Sequence, residues 1–64
     1  MFEIFLISSS QRTPFVIRDT LFDARETASE AATLTGCKVE IVDRRTGDVV
    51  ERHRPPTTPK LGSA

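Results

Sequence analysis

At 64 residues the chain is one domain, near the smallest size that a single hydrophobic core supports unaided. Its 38% hydrophobic and 28% charged residues are globular values and exclude an intrinsically disordered class. Nine basic residues against nine acidic ones leave a formal charge of zero, so no global attraction to nucleic acid or anionic membrane is expected, only local patches.

Cys37 is the one cysteine, which rules out an internal disulfide and points to a reduced, cytoplasmic setting. Met1-Phe2-Glu3 lacks a basic leader, and the apolar run it opens is too short for a signal peptide or a membrane span. With no disulfide, no metal-ligand spacing and few large side chains, self-association is the expected support for so small a domain.

The first element is Phe2-Glu3-Ile4-Phe5-Leu6-Ile7, five of whose six residues are apolar. A strand apolar on both sides wants cover on both sides, which places it centrally in a small sheet. Ser8 to Arg12 is a polar connector of hairpin length. Thr13 to Asp19 reads as a second strand, with Phe15 and Ile17 pointing one way and Val16 and Arg18 the other. Pro14 cannot donate a ladder hydrogen bond, so this strand belongs at an edge or has Pro14 at its start.

A helix follows, ending at Gly36 as its left-handed cap. Asp23 with Glu26 predicts a capping box at its start; Thr20 is a competing cap one turn earlier. The expected buried stripe is Ala24, Ala28, Ala31 and either Ala32 or Leu34. Cys37 to Asp43 predicts a third strand with Val39 and Ile41 on one face and Lys38, Glu40 and Val42 on the other. Gly47 supplies the positive φ for a turn, and Asp48 to His53 is a fourth strand with charged flanks that suit an edge. Residues 1–54 thus form a single α+β domain, and 55–64, with three prolines in five residues, read as a disordered tail that spells a short PxxP at Pro56–Pro59.

The order β-β-α-β-β constrains the topology. The second and third strands run parallel to each other, joined by a helical crossover, and the doubly apolar first strand fits between them. A four-stranded antiparallel sheet in the order 2-1-3-4, with one helix on one face, follows and leaves the crossover right-handed. With Phe2, Ile4, Leu6, Phe15, Ile17, Val39 and Ile41 assigned to the helix, the period of two sends Phe5, Ile7, Val16, Val42 and Val49 or Val50 to the open face. A contiguous patch of a few hundred Å² would mark an interaction site, filled by a second copy or a larger protein. Arg18, Lys38 and Glu40 lying across the valines is the plainer alternative.

Groups for catalysis are sparse. His53 lies between Arg52 and Arg54 with nothing to orient it, and Cys37 suits a small apolar role at a strand start. Asp19, Asp23, Asp43 and Asp48 are expected at one end of the sheet, where paired carboxylates can do acid–base work or hold a divalent cation, but Asp23 is taken as a cap and Asp48 makes a turn with Arg44 or Arg45. No enzyme activity, cofactor, metal or small-molecule substrate is expected. Arg12, Lys38, Arg52 and Arg54 gather at one end of the sheet in this topology, an alternative surface for nucleic-acid phosphates, although no Trp or Tyr accompanies them. In size, neutral charge and lack of catalytic apparatus the chain resembles small accessory proteins of bacteria and their phages, some of which act by binding a larger host machine. That resemblance rests on no motif and assigns no residues. The expectation is a non-enzymatic interaction module using Phe5, Ile7, Val16, Val42 and Val49.

Overall fold

The computed structural model describes residues 1–56; the expectations for residues 57–64 of the tail lie outside the described residues. Strand β1 spans Phe2–Ser8, β2 Gln11–Arg18, helix α1 Leu21–Thr35, β3 Lys38–Asp43 and β4 Val49–His53. The sheet order is β2-β1-β3-β4 with every neighbouring pair antiparallel, and the doubly apolar β1 lies inside, as its composition requires. No described helix is long and apolar enough to cross a membrane.

One helix covers one face. Ala24, Ala28, Ala31 and Ala32 are buried against Ile4, Val39 and Ile41, with Phe2, Leu6, Val16 and Leu21 packed around them. Alanines let the helix axis approach the sheet closely, but they contribute little area, and Ile4, Ile41 and Val39 are the largest side chains that are fully buried. The stripe takes Ala32 and leaves Leu34 82% exposed.

The helix begins one turn earlier than the Asp23 capping box would place it. Thr20 is the N-cap, its side chain accepting from the Asp23 amide at 3.1 Å, and Asp23 becomes the acidic residue of the first turn. The earlier start brings Leu21 onto the core edge. At the other end Gly36 takes φ 72° and donates its N–H to the Ala32 carbonyl, the expected left-handed cap. The connector between β1 and β2 shortens to Ser9-Ser10, with a positive φ of 53° at Ser9.

The main correction concerns β2. Ile4 pairs with Val16, yet the next residue, Phe5, pairs with Pro14, leaving Phe15 as an extra residue at a bulge. The bulge reverses the side-chain alternation between the two halves of the strand. Val16, expected on the open face, instead faces the helix, and Arg18 on the same side donates to the helical Thr27 hydroxyl at 3.1 Å. Ile17, expected under the helix, lies opposite Glu3 on the open face. A bulge at Pro14 is physically sensible, since Pro brings no N–H to the ladder. A second irregularity on β4 skips Val50, so that Ile41 pairs with Glu51 and Val42 with Val49. It settles the choice between the two valines: Val49 shares the face of Val42.

Candidate functional site

The helix-free face is built from three rows across the sheet, each fixed by strand register. Ile17, Glu3, Val42 and Val49 form the first; Pro14, Phe5, Glu40 and Arg52 the second; Arg12, Ile7 and Lys38 the third. Phe5, Ile7, Val42 and Val49 are therefore together, as the alternation predicts, and Val16 is replaced by Ile17. That exchange was hidden in the sequence because only the bulge decides it. The proline beside a β-branched run was the one available signal.

These apolar side chains are not laid bare. Arg12 Nε reaches Glu40 Oε1 at 3.3 Å, and Arg52 Nε reaches Glu40 Oε2 at 3.3 Å, so one carboxylate on β3 holds an arginine from each outer strand. The Arg12 guanidinium also sits 4.3 Å from the Phe5 ring centroid, a cation–π contact that roofs the ring. Val42 is left 8% exposed, whereas Ile17, on the outermost strand, stays 39% exposed. Lying beside them at the bulge, Phe15 is 51% exposed. The face thus combines apolar side chains with a charged clamp at its centre.

The expected basic cluster belongs to this same face. Arg12 and Lys38 both lie opposite Ile7, and Arg52 lies opposite Glu40. Arg54, one residue past β4, joins Lys38, Ile7, Glu40 and Arg52 around a cavity of about 230 Å³. Glu3 is matched by Arg44 at 3.8 Å. Once Glu40 is set against one arginine, the face retains an excess of positive charge. The apolar and basic surfaces, distinct candidates in the sequence, are one surface in the fold.

His53 is not the solvated, unpaired side chain expected of it. It pairs with Val39, which turns it toward the helix, and its Nε2 lies 3.0 Å from Glu51 Oε1. Arg25 of α1 donates to the other Glu51 oxygen at 2.6 Å. The hydrogen bond from His53, followed by that from Arg25, holds the Glu51 carboxyl below the ordinary glutamate range. This triad ties β4 to the helix. Cys37 is half-buried, with its thiol directed at the Thr35 carbonyl at 3.8 Å. Among the described residues no group of three or more His, Cys, Asp or Glu is placed to hold a metal ion.

Comparison with protein-family models, curated proteins and solved structures yields no match to this chain.

Proposed function

We propose that the chain is a non-enzymatic protein-interaction module whose helix-free sheet face binds a partner presenting an apolar patch beside acidic side chains. The observation that carries this reading is the convergence of Phe5, Ile7, Ile17, Val42 and Val49 with Arg12, Lys38, Arg52 and Arg54 on one surface. Bulges interrupt both outer strands, which makes edge-to-edge pairing a poorer route than the face. A second copy fits less well than an acidic partner. Two-fold pairing lays the cationic half of one face over either its own equivalent or the charge-balanced Ile17–Val42 half, and neither neutralises it.

Nucleic acid is the second reading, supported by the four shared cations. It is weaker because Glu40 already holds Arg12 and Arg52, and because Phe5 is the only aromatic in the three rows. Selection from a displayed peptide library against the folded protein tests the proposal. Binders are expected to combine Asp or Glu with Leu or Phe, and to lose about tenfold or more in affinity against Phe5→Asp and Ile17→Asp variants that keep the native circular dichroism. Peptides without acidic bias, or indifferent to both variants, would overturn it. Oligonucleotide affinity that falls steeply with salt would move the assignment to nucleic acid.

A further inference from the structure

We propose that the end of the sheet where β1 turns into β2 carries a phosphate-binding notch formed by Lys38 and Arg54 beside the Ser8–Ser9 turn. A cavity of about 570 Å³ opens at this end, and its lining brings Lys38 and Arg54 together with Ile7, Ser8, Ser9 and Gly36. No Asp or Glu lines it. It adjoins the Arg12–Glu40–Arg52 clamp, whose two arginines share one carboxylate, and Lys38 and Arg54 also border the smaller cavity that Glu40 lines.

Arg25 is held by Glu51 and Arg44 lies on Glu3. Of the described cations without an ion pair, Lys38, Arg54, Arg18 and Arg45, only the first two line this cavity. Lys38 opens β3, and Arg54 follows His53, which pairs with Val39, so the two cations emerge side by side from adjacent strands. Local backbone features place the rest of the lining. Gly36 in its left-handed cap turns the chain from the helix into β3, and positive φ at Ser9 closes the two-residue loop.

The chemistry matches a phosphate group. A guanidinium offers parallel N–H donors to two oxygens, an ammonium adds a point charge, and serine hydroxyls donate to what remains. Two cations balance a doubly charged tetrahedral anion, whereas a carboxylate needs one. A polynucleotide backbone calls for cations spaced along a track, and the next ones along this face, Arg12 and Arg52, are turned to Glu40. The ligand class is therefore a terminal phosphate, on a small ester or on a phosphorylated side chain.

Titration of the full chain with inorganic phosphate, followed by ¹H–¹⁵N amide shifts at constant ionic strength, tests the notch independently of the protein-binding reading. Shifts are expected to concentrate at Ser8, Ser9, Gly36 and Lys38, and affinity is expected to fall about tenfold in Lys38→Gln/Arg54→Gln. Arg18→Gln/Arg45→Gln, which removes two other cations without ion pairs, is expected to leave it unchanged. Tighter binding of a phosphoserine peptide than of phosphate would assign the source to a protein; tighter binding of a nucleoside monophosphate would assign it to a small ester. Absence of shifts, their reproduction by chloride, or their survival in Lys38→Gln/Arg54→Gln would overturn the proposal, and spectral dispersion shows that each variant is folded.

Discussion

Val16 and Ile17 are adjacent, similar in size and opposite in consequence. Val16 packs on the Ile4–alanine core, so Val16→Ala is expected to cost about 1 kcal/mol, and Val16→Glu about 2–3 kcal/mol because its carboxylate would be pressed against apolar neighbours. Ile17 lies on the helix-free face, more than a third exposed, and Ile17→Asp is expected to stay within about 0.5 kcal/mol of the parent. Urea unfolding of the three variants checks the order. An Ile17→Asp penalty as large as that of Val16→Glu would mean that the alternation at the bulge runs the other way.

At the scale of elements, two contacts decide how the helix is held. Thr20, in place of Asp23, is the N-cap and accepts from the Asp23 amide, so Thr20→Ala is expected to cost about 1 kcal/mol and Asp23→Asn only a few tenths. The two unfolding free energies separate the alternative caps. The second contact is the Arg25–Glu51–His53 triad between α1 and β4. Glu51 has a lowered pKa, so its contribution is fully present above the ordinary glutamate range and is lost as pH falls through the lowered value. Glu51→Gln is therefore expected to lower stability at neutral pH and to flatten its fall on acidification. Denaturation midpoints measured from neutral pH downward check this, and parallel profiles for parent and variant would refute it. Exposure of the Arg25 side chain and partial exposure of the other two keep the contribution small.

At the scale of the molecule, a single-layer core sets a narrow margin. Four alanines and three large aliphatic side chains carry most of the burial, and total stability for a chain of this size is a few kcal/mol. Ile41→Ala, which empties a fully buried site, is expected to cost about 2–5 kcal/mol and to abolish cooperative thermal unfolding by calorimetry. A preserved transition would mean that more of the fold's support lies outside this core than its burial indicates. The same thinness explains why the opposite face has Arg12, Glu40 and Arg52 drawn across it: among the described residues no second helix covers it, and long charged side chains supply the cover.

Composition and periodicity alone determined the element order, the central place of Phe2–Ser8, the alanine stripe, the Gly36 stop and the strand order. Each follows from short-range rules, or from strand direction and crossover handedness, which a linear reading contains. Asp23 and Thr20 were both legible as caps, but the choice needed Leu21 to find the core. The composition of the candidate face was a tertiary matter. One extra residue at Phe15 exchanged Val16 for Ile17, and a skipped Val50 selected Val49. Only strand pairing brought Arg12, Glu40 and Arg52 into one clamp and set Lys38 beside Arg54. A bulge costs little locally but reverses every side chain beyond it, and partners 12 to 28 positions apart meet only after the strands are in register.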